Sequence, residues 1–141
     1  MVSHTETGVV EGRRLNSLVA FAFGAVFVLV GLSGFFVSGG HHAVGADGGA
    51  LLGLFQVNVL HNVVHLAIGA LLVLGALRGP RPSRGVNTLV GAVYLLVGVL
   101  GLFVLESSLN ILALNTADNL LHFASAALLL GVGLMADKRA R

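Results

Sequence analysis

Four apolar stretches, at residues 18–37, 59–77, 86–105 and 116–136, constrain this chain more than any other feature. At a rise of about 1.5 Å per residue, about 20 helical residues cover the roughly 30 Å hydrocarbon core of a bilayer. Each stretch is therefore long enough to span. Lipid offers backbone N–H and C=O groups no partners, so only helices and closed barrels cross it. None of the four runs alternates with period two, which leaves helices. The expected fold is all-α: an integral membrane four-helix bundle occupying the whole chain.

Charge placement orients the bundle. Only a tenth of the 141 residues are charged, against about a quarter in soluble domains. The basic ones cluster at Arg13 and Arg14, at Arg78, Arg81 and Arg84, and at Lys138, Arg139 and Arg141. These clusters flank the apolar runs on one side, so they report topology rather than nucleic-acid binding. The positive-inside rule then predicts a multi-pass protein of the cell membrane with both termini cytoplasmic. Pro80 and Pro82 beside Gly79 predict a tight helix-breaking inner loop, and residues 38–58 and 106–115 form the outer loops. There is no cysteine, which excludes disulfides and thiolate chemistry.

An internal repeat accounts for the order of the spans. GAVFVLVGLSGFFV at 24–37 aligns with GAVYLLVGVLGLFV at 91–104, and LFQVNVLHNVVHL at 54–66 with ILALNTADNLLHF at 111–123. Two hairpins of two helices would form parallel copies related by an axis along the membrane normal. A first span paired with the third in this way argues against reading Arg13-Arg14 and the following run as a cleaved signal peptide. Gly24 and Gly31, like Gly91 and Gly98, share a helix face, the pattern that lets membrane helices approach closely. Such faces serve intramolecular packing and homo-oligomer contacts equally well.

The chemistry is concentrated in the second half of each hairpin. Asn58, His61, Asn62 and His65 in one copy answer Asn115, Asp118, Asn119 and His122 in the other. Positions i, i+3, i+4 and i+7 form one helical stripe, which lipid will not accept and which must face the bundle interior. Asn58 and Asn115 are placed as N-caps. The deeper histidines lie roughly 10 Å below the helix starts, in the outer half of the membrane. His61, His65, Asp118 and His122 make a complete ligand set for a tetrahedral divalent ion such as zinc. The alternatives are bis-histidine haem ligation by His65 and His122, a proton relay, and a purely structural cluster in which Asn115 and Asp118 form a capping box. His41, His42 and Asp47 lie in the glycine-rich outer loop, which is expected to lack the rigidity a site needs. Glu106 marks the outer end of the third span.

At LLGLFQVNVLHNVVHL and LNTADNLLHFASA the sequence resembles the actinobacterial family called domain of unknown function 4383, small membrane proteins of four helices. The resemblance covers nearly all of residues 15–136. That family often has proline directly after the first cap asparagine, where this chain has Val59. The resemblance implies the membrane fold and brings no activity with it.

No nucleophile elbow, P-loop or HExxH motif is present, so an enzyme is not expected. Three readings stay open: a metal- or haem-binding protein, a small channel or transporter, and an accessory subunit of a larger membrane complex whose polar cluster pins the helices together. The expected partners are the bilayer and further membrane subunits, with no nucleic acid.

Overall fold

The computed structural model describes residues 5–137, with side chains from residue 15 onward. The side chains of Arg13 and Arg14, and all of Lys138, Arg139 and Arg141, lie outside the described residues. The elements run α1 (Thr5–Ser38), β1 (Gly49–Leu51), β2 (Phe55–Val57), α2 (Val59–Leu77), α3 (Pro80–Val104) and α4 (Thr116–Met135). All four helices are long and apolar enough to cross a membrane; in α1 the candidate span is Leu15–Ser38.

The join between α2 and α3 is tighter than the proline pattern predicted. Only Arg78 and Gly79 separate the two helices, and Pro80 opens α3 instead of sitting in a loop. The physical reason is positional. A first-turn proline lacks an N–H that no helical carbonyl would have accepted, and its fixed φ suits a helix start. Gly79, at φ 108°, supplies the reversal. Ser83 then secures the corner, its Oγ donating to the Gly79 carbonyl at 2.7 Å and the Gly75 carbonyl at 3.2 Å. Arg81 and Arg84 therefore ride on the first turns of α3.

Helix α1 packs chiefly on α2 and α3 on α4, with α1–α3 and α2–α3 contacts closing the bundle. The glycine faces are used in these pairings. A Cβ on Gly24 would come within 2.9 Å of Val73 and the Gly69 carbonyl, and one on Gly31 within 2.9 Å of Leu66 and the Asn62 carbonyl. Gly91 meets Leu130 and Gly98 meets Phe123 in the same way. Close backbone approach within the chain is what these small residues provide.

The first outer segment carries an antiparallel β-hairpin, β1 with β2, turning through Leu52 at φ 55° and Gly53 at φ 69°. It lies at the end of the bundle opposite the α2–α3 corner. The second outer segment, 106–115, has no strand of its own. It is folded around Asn110, which donates to the Leu105 and Leu114 carbonyls at 3.0 and 2.8 Å and accepts from the Leu114 N–H at 2.8 Å. A bridge between Gly45 and Leu112 joins the two segments.

Candidate functional site

The polar stripe begins at two helix N-caps that do more than cap. Asn58, with φ −112° and ψ 179°, accepts the His61 N–H at 2.9 Å. Its amide donates to the Gly45 and Ile111 carbonyls, both at 2.9 Å, so one side chain starts α2 and ties the outer segments together. Asn115 caps α4 by accepting the Asp118 N–H at 2.9 Å and donates to the Leu54 carbonyl of the β-hairpin turn at 2.8 Å. Asp118 closes a capping box by accepting the Asn115 N–H at 2.9 Å. The same carboxylate oxygen accepts the Gln56 N–H of β2 at 3.1 Å.

One turn on, Asn62 and Asn119 each fit a notch left by a glycine. The Asn62 amide occupies the space a Cβ of Gly34 would need and donates to Ser38 Oγ at 3.0 Å. Asn119 does the same at Gly101 and donates to the Gly98 carbonyl at 3.1 Å. A buried amide is tolerated in an apolar bundle when its donors are satisfied in this way.

His61, His65 and His122 are buried in the bundle. The rings of His61 and His65 stack, with centroids 4.6 Å apart and planes inclined by 20°. His122 lies across from His61 at 6.3 Å. A cavity of about 40 Å³ lies among the three imidazoles and Tyr94. Their Nδ1 atoms have no hydrogen-bond partner among the described residues, and the cavity itself is lined almost wholly by apolar surface. Tyr94 lines the cavity and Phe27 packs behind it. Phe27 is 5.5 Å from His65 and 5.3 Å from Tyr94, and Tyr94 is 5.1 Å from His122.

This geometry overturns the expected metal site of His61, His65, Asp118 and His122. Among the described residues no group of three or more His, Cys, Asp or Glu side chains is placed to hold a metal ion. A tetrahedral ion needs lone pairs converging on a point about 2 Å from each donor atom. Stacked imidazoles instead present their in-plane nitrogens side by side, and the Asp118 carboxylate is engaged by two backbone N–H groups. Haem fails on space as well, because the cavity touching both His65 and His122 is only about 40 Å³. The helical spacing brings the four side chains to one end of the bundle without aiming them at one point.

A second polar layer at the opposite end had not been singled out. Asn87 of α3 donates to the backbone carbonyl and Oδ1 of Asn16 on α1, at 3.0 and 2.9 Å. Asn16 in turn donates to Asp137 at 2.7 Å. Ser17 and Ser83 hydroxyls lie 3.0 Å apart, and Arg84 Nε donates to the Gly133 carbonyl at 2.9 Å. The i, i+4 spacing of Ser83 and Asn87 on a helix was the available signal. Between this layer and the imidazoles lies an apolar one of Ala20, Leu72, Val90, Ala126 and Leu129, continuous with Phe27 and Tyr94.

The model of the family described as Domain of unknown function (DUF4383) matches residues 17–135. The chain belongs to that family. No curated protein and no solved structure matches it. The DUF4383 match runs from two residues inside the α1 span to the last residue of α4, so both polar layers lie within the family region apart from Asn16 and Asp137 at its edges.

In the loop before β1, His41 Nδ1 lies 3.0 Å from Asp47 Oδ1. That hydrogen bond holds the Asp47 carboxyl below the usual carboxylate range. Both side chains are substantially exposed, and the pair is a local brace of the loop.

Proposed function

We propose that this chain is a non-catalytic, non-conducting accessory subunit of a larger membrane assembly, in which the His/Asp/Asn cluster fixes the helices instead of moving ions. The observation that carries this reading is the apolar layer. Leu72 and Leu129 are fully buried between the imidazoles at one end and the Asn16–Asn87 pair at the other. A proton relay needs a continuous chain of titratable groups or water. Among the described residues the buried polar groups stop at Tyr94 and Ser125, one turn past His122, and resume only at Asn16 and Asn87 beyond Leu72 and Leu129.

Packing supports the accessory role over a homo-oligomer built through the glycine faces, because those faces are already taken up by α2 and α4. The matched pairs Gly34–Asn62 and Gly101–Asn119 support an internal duplication of one hairpin. The three arginines near the α2–α3 corner support a cytoplasmic location for that end, in the cell membrane.

Proton flux into liposomes carrying the purified protein, followed with a pH-sensitive dye under an imposed gradient, tests this reading. The expected rate equals that of protein-free liposomes. Protein-dependent flux that disappears in His65→Leu would overturn it.

A further inference from the structure

A different observation, independent of the non-conducting reading, concerns the seam between α1 and α4. At one end Asn16 reaches the α4 terminus, donating to the Val132 carbonyl at 3.4 Å and to Asp137. Toward the β-hairpin the two helices leave a cavity of about 290 Å³ between them. Phe23, Phe27 and Val30 of α1 form one wall, Leu121 of α4 another, and Phe55 of the hairpin the roof. Its rim includes Val26 and Leu52, 52% and 87% exposed. A mouth rimmed by exposed apolar side chains, in a helix that crosses the bilayer, faces lipid and not water.

The cavity lining is almost wholly apolar, with one small polar patch. His65, Asp118 and Ser125 line it, each at least nine-tenths buried. His65 separates it from the smaller cavity among the imidazoles, lining both. Apolar walls with a few convergent polar groups are the usual make-up of a small-molecule site.

We propose that this cavity binds a lipid-soluble alcohol, with its chain along the α1–α4 walls and its hydroxyl among His65, Asp118 and Ser125. The head group follows from the donors and acceptors present. A hydroxyl can accept from Ser125 Oγ and donate to the imidazole or the carboxylate at once. A carboxylate head would face the Asp118 carboxyl with no cation lining the cavity, and a plain hydrocarbon would give the Ser125 hydroxyl no partner.

Three probes with one chain and three heads separate these cases: dodecan-1-ol, dodecanoate and dodecane, titrated into isotope-labelled full-length protein in lipid nanodiscs and followed by amide chemical shifts. Dodecanol should give saturable shifts focused on Val26, Phe55 and Ser125, binding about tenfold tighter than dodecane or dodecanoate, the equivalent of one or two buried hydrogen bonds. Ser125→Ala should weaken dodecanol about fivefold to tenfold and leave dodecane unchanged. Val26→Trp, at the exposed rim, should abolish the focused shifts with the rest of the spectrum intact. Equal affinity for the three probes, preference for dodecanoate, dodecanol shifts spread over the lipid-facing surface, or dodecanol binding unaffected by either substitution would each overturn the proposal.

Discussion

Asn62 of α2 stands where a Cβ on Gly34 of α1 would have to be, and from that notch it donates to Ser38 at 3.0 Å. The two positions are therefore one structural unit. Gly34→Ala should lower stability by about 1–3 kcal/mol through overpacking, read as a shift in thermal unfolding in detergent. Adding Asn62→Ala should cost less than the sum of the two single changes, because the shortened side chain frees the space the new methyl needs. Strict additivity would show that the notch is not tight.

Asp118 holds two backbone N–H groups, one in its own helix cap and one in β2. Asp118→Ala should destabilise the fold by about 1–2 kcal/mol, the range for loss of a capping interaction. It should also speed amide hydrogen exchange at Gln56 and Asn115 more than at the middle of α4. Unchanged exchange at Gln56 would mean that the hairpin does not depend on this carboxylate.

Much of this architecture was legible in the chain, for identifiable reasons. Lipid forces a spanning helix to about 20 apolar residues, so α2 and α4 begin where the pattern placed them, directly after Asn58 and Asn115. The β-hairpin was not legible, because its anchors are distant in sequence: Gln56 on Asp118, and Leu54 on Asn115. Pro80 misled for a local reason, since a proline signals both a loop and a helix start. The stripe of His61, His65, Asp118 and His122 was read correctly as interior, but spacing fixes a helix face and not the direction of a ring nitrogen. That is where the metal expectation failed.

The His41–Asp47 pair makes a pH prediction whose sign is set by the depressed carboxyl. A carboxyl whose folded pKa is lowered stabilises the fold above its unfolded value, about 3.8 here, and loses that contribution as pH falls through the folded value. Well above that range the Asp47 carboxyl stays fully ionised. His41→Ala should move the Asp47 titration back up toward the ordinary value, as followed by carboxyl carbon shifts, and leave the unfolding temperature at neutral pH unchanged because the pair is exposed.

The arginine-bearing corner and the hairpin should lie on opposite sides of the membrane. With no cysteine in the chain, Arg81→Cys and Gly40→Cys can each be labelled in intact cells with an impermeant thiol reagent. Gly40→Cys should react from outside and Arg81→Cys only after the membrane is opened. The reverse pattern would invert the topology predicted by the positive-inside rule.

The apolar layer between the two polar layers is tested most directly by water access to its centre. Leu72→Cys and Leu129→Cys, at fully buried positions, should resist a small impermeant thiol reagent applied from either side of sealed vesicles. Reaction of both cysteines at rates near that of Gly40→Cys, in protein that retains its native melting transition, would reveal a water-filled path through the bundle and contradict the non-conducting reading.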